Sequence, residues 1–187
     1  MIASELDVDK PFIFEVPDIL TSDECAQWID RIRSAGTEPA PINTRRGNTV
    51  DSQIRNNRRA IFDDPDQARL LLKRVGKHAP REIHEMVLER VNERFRCYEY
   101  QVGQRFAPHS DGAFVRSEDE QSWYTFMVYL NDGFDGGETA FFVEPEVIIR
   151  PRQGSGLLFQ HPIIHEGREV KAGVKYVLRT DLMYCRQ

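Results

Sequence analysis

Tyr100-Gln-Val-Gly103-Gln-Arg-Phe106-Ala-Pro108-His109-Ser-Asp111-Gly112 carries an imidazole and a carboxylate two positions apart. In an extended segment residues i and i+2 project from the same face, so one strand end aims His109 and Asp111 at a common ion. A third ligand must come from elsewhere, and His165 stands further along the chain with Lys175 ten residues after it. Two imidazoles and one carboxylate are the set that holds Fe(II) by one face and leaves the remaining positions open for chemistry.

Around this stretch the sequence reads as strands. Tyr98/Tyr100, Trp123 to Leu130, Glu138 to Phe142, Val147 to Arg150, Leu157 to Gln160 and Val174 to Tyr184 are short and rich in aromatic and β-branched residues. Gly, Pro, Asn or Asp separate them, which is turn chemistry. Several short strands at this spacing predict a sandwich or barrel, and a double-sheet jelly roll is one way for them to close.

The N-terminal half reads differently. Pro11 to Val16 predicts a short strand ended by Pro17. Thr21-Ser22-Asp23-Glu24 offers a helix start with acidic residues in the first turn, and Cys25, Trp28, Ile29 and Ile32 lie on one helical face before Gly36. A second helix is predicted after Asp63-Asp64-Pro65, with Ala68, Leu71, Leu72 and Val75 inward, and a third near Pro80, with Ile83, Val87, Val91 and Phe95 inward. Between the first two helices, Asn43 to Asn48 and Arg55-Asn-Asn-Arg-Arg59 are polar, basic and turn-prone.

With 187 residues the chain is read as one domain, 1–187, with helical support over about 18–95 and a strand-built core over about 96–187. A net charge of −5 and a pI of about 5.6 argue against a main role in binding nucleic-acid backbone. Three scattered cysteines suit a reducing compartment. No apolar run is long enough to span a bilayer, and residues 1–10 lack the pattern of a signal peptide, so a cytoplasmic, membrane-free protein is expected.

Two further segments extend the first motif. They are Tyr129-Leu-Asn131-Asp-Gly133-Phe-Asp-Gly136-Gly137-Glu138-Thr139 and His165-Glu-Gly167-Arg-Glu-Val170-Lys-Ala-Gly173-Val-Lys175-Tyr-Val-Leu-Arg179. With these in place the chain resembles the 2-oxoglutarate- and Fe(II)-dependent oxygenases of the prolyl 4-hydroxylase type. The resemblance implies a mostly β fold with flanking α: a double-stranded β-helix, or jelly roll, with N-terminal helices packed on one sheet.

It also implies roles for single residues. His109, Asp111 and His165 would be the catalytic metal ligands for Fe(II). Lys175 would meet the distal carboxylate of the co-substrate 2-oxoglutarate, helped by Tyr100 and Tyr129. Arg179, on the same strand face as Lys175, is placed either at the iron-side end of the co-substrate or in an ion pair with Asp181. Asp111 sets the site apart from related halogenases, which lack that carboxylate. Tyr176 replaces the tryptophan common after the lysine in collagen-type relatives, so a collagen-like preference does not transfer directly. His78, His84 and His161 are read as structural.

The activity so implied is oxidative: O2 and 2-oxoglutarate are consumed, succinate and CO2 leave, and an unactivated C–H bond is hydroxylated, with ascorbate as a candidate reductant. The leading substrate is a prolyl residue of a peptide or protein. A free amino acid or small metabolite is the nearest alternative. A nucleic-acid demethylase is disfavoured by charge, and a non-catalytic jelly-roll binding module stands as the alternative of another class. Residues about 43–58 are expected to form a lid, with Arg55, Asn56 and Asn57 contacting substrate.

Overall fold

The computed structural model describes residues 13–44 and 47–187, so expectations that touch residues 1–12, 45 and 46 lie outside the described residues. The organising strand is Lys175–Arg186. Along one edge it pairs antiparallel with Glu120–Tyr129. Along the other, its first half pairs with Arg94–Tyr100 and its second half with Met86–Val91. The sheet continues through Gly156–Gln160 to Ile13–Val16 on one side, and through Arg58–Asp63 to Glu38–Pro39 on the other.

A smaller sheet runs Val147–Ile149, Thr139–Phe141, His165–Gly167, Phe106–His109. The two sheets face each other across an apolar layer in which Phe141 and Ile149 of the small sheet meet Tyr98, Leu157, Phe159 and Val177 of the large one. The Phe141 and Phe159 rings meet edge to face, with centroids 5.0 Å apart. This is the double-stranded β-helix that the resemblance implies, one of the closures the strand pattern allows.

Strand alternation decides which residues reach the inter-sheet space. Tyr176, Leu178 and Leu182 join the core on the helix side of the large sheet. Lys175, Val177 and Arg179, one residue out of phase, line the cavity between the sheets. The two helices, α1 (Ser22–Ala35) and α2 (Pro65–Val75), cover the outer face. Trp28 of α1 packs on Phe95 and Phe62, with ring centroids 5.3 and 6.1 Å apart. Thr21 and Glu24 close a reciprocal cap at the start of α1. Glu24 also accepts two hydrogen bonds from Arg74 of α2, tying the helices together.

The third helix expected near Pro80 does not form. Glu82–Ile83 and Met86–Val91 make a hairpin instead, and Phe95 lies in the strand Arg94–Tyr100. The connecting His84 and Glu85 both adopt positive φ, 46° and 61°, as a two-residue hairpin turn requires. The expectation fails for a definite reason: a spacing of four places residues on one face of a strand as well as on one side of a helix. Here the free edge of Lys175–Arg186 supplies the tertiary partner, so the reading of about 18–95 as helical support is corrected to two helices with strands between and after them. His78 and His84 accordingly sit in turns rather than in a helix.

Candidate active site

His109 ends one strand of the small sheet and His165 begins its neighbour, and the two are direct cross-strand partners. Asp111 follows two residues after His109, its backbone N–H donating to the His161 carbonyl at 2.9 Å. The three side chains offer ligand atoms all within 4.8 Å of one another. Each histidine donates from Nδ1 to a carbonyl two residues back, His109 to Ala107 at 2.8 Å and His165 to Ile163 at 2.9 Å. Both Nε2 lone pairs are thereby turned toward Asp111, 3.9 and 3.8 Å from its oxygens. Burial lowers the pKa of both imidazoles, that of His109 to about 4, so each is a neutral ligand near pH 7. Burial works against the Asp111 carboxylate, yet the Arg179 guanidinium beside it holds its pKa well below the usual range. Two neutral nitrogen donors and one anionic oxygen on one wall of an open cavity fit a facially bound Fe(II).

Behind the carboxylate runs a chain of polar side chains. Thr125 Oγ1 lies 2.6 Å from Asp111 Oδ2 and 3.0 Å from His161 Nδ1, and His161 Nε2 lies 2.7 Å from Ser122 Oγ. The single hydroxyl proton of Thr125 goes to the carboxylate, which has none to give, so His161 donates from Nδ1 and accepts from Ser122 at Nε2. Burial pushes the His161 pKa down to about 4, which keeps that tautomer neutral. His161 is thus structural, as expected, and it acts on a ligand through Thr125. Arg179 donates to Thr125 Oγ1 at 3.3 Å and lies 3.2 Å from both Asp111 Oδ2 and Asp181 Oδ1. The ion pair expected with Asp181 is thus present, and the same guanidinium also touches Asp111.

At the other end of the cavity Lys175 is 2 % exposed. Its Nζ donates to the Gly137 carbonyl at 2.6 Å and faces the Tyr100 and Tyr129 rings at 5.2 and 5.5 Å. An ammonium has three donors, so a single carbonyl leaves capacity for a ligand carboxylate. Gly136 and Gly137 allow this approach. Both have positive φ, and a Cβ on Gly136 would lie 2.3 Å from the Glu169 carbonyl. Tyr100 lines the cavity, whereas Tyr129 lies behind it and pairs its hydroxyl with Thr139 Oγ1 at 2.7 Å. Thr139 is the group exposed to the cavity at that point. It follows the Gly136-Gly137-Glu138 turn.

The cavity between the sheets measures about 810 Å³. Ile42 and Asn48, on the strands Ile42–Thr44 and Gly47–Thr49 of a small hairpin, and Ile54 line it from the expected lid region. Arg55 also lines it, and its guanidinium is sandwiched between Tyr98 and Phe106 at 4.4 and 4.2 Å from the ring centroids. Its Nε donates to Asn57 Oδ1 at 2.7 Å and its Nη1 to the Pro41 carbonyl, while Nη2 has no hydrogen-bond partner. Asn57 is buried behind Arg55 and holds it. Asn56 points the other way, its amide bonding to the Gly103 carbonyl and the Arg105 N–H. The structure therefore brings Arg55 alone of the three to the cavity wall.

Comparison with known proteins agrees with this geometry. Residues 94–180 match the model of the 2OG-Fe(II) oxygenase superfamily. The chain is 25% identical over 170 residues to probable prolyl 4-hydroxylase 9 of Arabidopsis thaliana, covering 80% of this chain and 58% of the relative. A shorter stretch of 69 residues, 32% of this chain and 22% of the relative, is 41% identical to probable prolyl 4-hydroxylase 11 of the same plant. The chain thus spans only part of the length of these relatives. Among solved structures, the collagen prolyl hydroxylase of Paramecium Bursaria Chlorella virus-1 superposes with a TM-score of 0.64 at 20% identity, over 96% of this chain and 99% of that one. A prolyl hydroxylase from Trichoplax adhaerens, in complex with a hypoxia inducible factor peptide fragment, gives 0.69 at 17% identity, over 96% and 86%. The segment that matches the 2OG-Fe(II) oxygenase superfamily encloses all three candidate metal ligands and Lys175, and the fold is the one these solved prolyl hydroxylases share.

Proposed function

We propose that this chain hydroxylates an unactivated C–H bond of a prolyl residue in a peptide or protein. One atom of O2 enters the product and the other enters succinate, formed from 2-oxoglutarate with loss of CO2. The observation that carries this reading is one cavity with the His109–Asp111–His165 cluster on its wall and the buried, under-bonded Lys175 at its end. Fe(II), when bound, supplies the redox chemistry with O2.

The residues of the chain bind, orient and exclude water. His109, Asp111 and His165 hold the metal, and Thr125 and Arg179 hold Asp111. Lys175, with Tyr100 and Thr139 beside it, takes the distal carboxylate of 2-oxoglutarate, for which an unpaired buried charge would otherwise be costly. The four residue steps from Lys175 to Arg179 span about 13 Å of strand, enough for a five-carbon diacid between lysine and metal. Apolar walls from Met127, Val177 and Phe106 keep that slot dry. The hairpin bearing Ile42 and Asn48 serves as the lid, with Arg55 beneath it on the substrate side.

One domain spanning the chain and a reducing, cytoplasmic setting complete the reading. The three unpaired cysteines support the latter. Ascorbate is included as a reductant on resemblance alone. A free amino acid is retained as the second reading because the unpartnered Arg55 Nη2 suits a small carboxylate. Succinate release is to be measured with Fe(II), 2-oxoglutarate and pools of prolyl peptides or free amino acids, with mass spectrometry for a gain of one oxygen. Peptide-dependent succinate with an oxidised proline is expected. Succinate coupled only to free amino acids would select the second reading, and no coupling to either would reject both.

A further inference from the structure

We propose that the substrate of this site is acidic, carrying a carboxylate within about two or three residues of the oxidised carbon, taken up by Arg59, Arg94 and Arg96 on the large sheet. This inference rests on the peptide reading above and adds the chemistry of the flanking sequence.

The charge of the cavity wall is lopsided. It presents Arg55, Arg59, Arg94, Arg96, Lys175 and Arg179, against Asp111 as the acid on the wall among the described residues. The chain as a whole carries −5, so composition does not account for this concentration of cations. Lys175 and Arg179 serve the co-substrate and metal ends. Arg55 is stacked between Tyr98 and Phe106, and the remaining three, Arg59, Arg94 and Arg96, form a separate group further along the floor.

Their placement follows from strand register. Tyr100, Tyr98, Arg96 and Arg94 share one face of Arg94–Tyr100, leading away from the Lys175 end, where Lys175 is the cross-strand partner of Tyr100. Arg96 stands directly across from Arg179, which touches Asp111, so Arg96 is one strand away from the metal ligands. Arg94 lies about 7 Å further out along the same strand. Arg59 pairs with Tyr98 on the neighbouring strand. Like charges directly opposite are unfavourable. Here Asp181 lies between Arg96 and Arg179, 3.2 Å from each.

The outer two cations have only loose partners. Arg59 reaches Glu38 at 3.3 Å, but that carboxylate is 66% exposed. Arg94 meets Asp63 at 3.4 and 3.5 Å with both side chains largely exposed. Exposed pairs of this kind are weak and readily exchanged. A substrate carboxylate entering a partly closed cavity meets these guanidinium groups in less water than Glu38 or Asp63 does.

The test uses acetylated, amidated prolyl peptides with Glu, Gln or Lys at single positions flanking the proline. Binding is followed by fluorescence anisotropy with Fe(II) and 2-oxoglutarate under anaerobic conditions, and turnover is then measured in air. Glu peptides should bind roughly tenfold tighter than Gln peptides at low ionic strength, with the gap shrinking as salt is added. Arg94→Gln should narrow that gap, and Asp63→Asn, which frees Arg94, should widen it. Opposite signs from two neighbouring substitutions cannot both come from misfolding. Matched peptides with a free C-terminal carboxylate separate a terminal from a side-chain source. Equal binding of Glu and Gln peptides, or preference for Lys, overturns the inference. So does displacement of the Glu peptide by a single-stranded oligonucleotide at lower concentration than by unlabelled Glu peptide. If Glu peptides bind preferentially but no proline is oxidised, the charge inference stands and the prolyl reading falls.

Discussion

Thr125 Oγ1 donates to Asp111 Oδ2 across 2.6 Å, and the same hydroxyl accepts from Arg179 and His161. One carboxylate oxygen is thereby held by the protein while Oδ1 faces Nε2 of His109 at 3.9 Å. Outer hydrogen bonds of this kind fix the orientation and basicity of a metal ligand. Thr125→Val should weaken Fe(II) binding about 10- to 100-fold, the usual cost of removing such a partner. Anaerobic metal titration checks this, and Thr125→Ser, which keeps the hydroxyl, should stay near wild type.

Asp111→Ala removes the anionic ligand and leaves two neutral imidazoles. Metal affinity and succinate formation should both collapse, and the thermal unfolding temperature of the metal-free protein should fall, since the substitution breaks a buried pair with Arg179. Arg179 then loses one of its two acidic neighbours but keeps Asp181. Full hydroxylation by this variant would remove Asp111 from the metal site.

Lys175→Ala should raise the apparent KM for 2-oxoglutarate at least a hundredfold, because losing one partner of a desolvated charge pair costs about 3–5 kcal/mol. Iron binding should move far less. Thr139→Val, with its smaller loss of a neutral hydrogen bond, should raise the same constant by about tenfold or less. Steady-state kinetics in 2-oxoglutarate separate the two effects.

The same lysine sets a pH dependence. Burial pushes its pKa from 10.5 down to about 7 in the ligand-free cavity. Below that pH the ammonium is already present and 2-oxoglutarate affinity should be flat. Above it, binding must take up a proton, because the incoming carboxylate raises the lysine pKa, so affinity should fall by up to tenfold per unit. Calorimetry in buffers of different ionisation enthalpy should show net proton uptake at pH 8 and little at pH 6.

Arg55→Ala and Asn57→Ala should impair substrate-coupled turnover while leaving 2-oxoglutarate and metal binding in place. Arg55 stacks between Tyr98 and Phe106, so its loss should also cost about 1–3 kcal/mol of stability through lost packing and cation–π contact. Asn57→Ala should act more mildly, since it releases Arg55 Nε and one hydrogen bond to the Arg58 carbonyl but leaves the stacking in place. Asn56→Ala should loosen the loop at Gly103 and Arg105 without changing KM for the substrate. Wild-type kinetics in both Arg55 and Asn57 variants would deny this region a role in recognition.

The sequence by itself determined the parts of this protein whose chemistry is written in local order. His109 and Asp111 share a face because strand side chains alternate, and the capped, four-spaced apolar stripes over Ser22–Ala35 and Pro65–Val75 are helical in their own right. Tertiary structure decided what local order leaves ambiguous. Ile83, Val87, Val91 and Phe95 fit a helix or a strand equally well, and the unpaired edge of Lys175–Arg186 selected the strand. Thr125 and His161 carry no motif and Thr139 only ends one, because their roles arise only when distant strands align them with Asp111 and Tyr129. Arg55 and Asn56 are neighbours in sequence, yet alternation sends one into the cavity and the other to the Gly103 turn. The ligands were legible because a metal demands particular residue types. Their supports were not, since a hydrogen bond demands only a donor and an acceptor brought together by the fold.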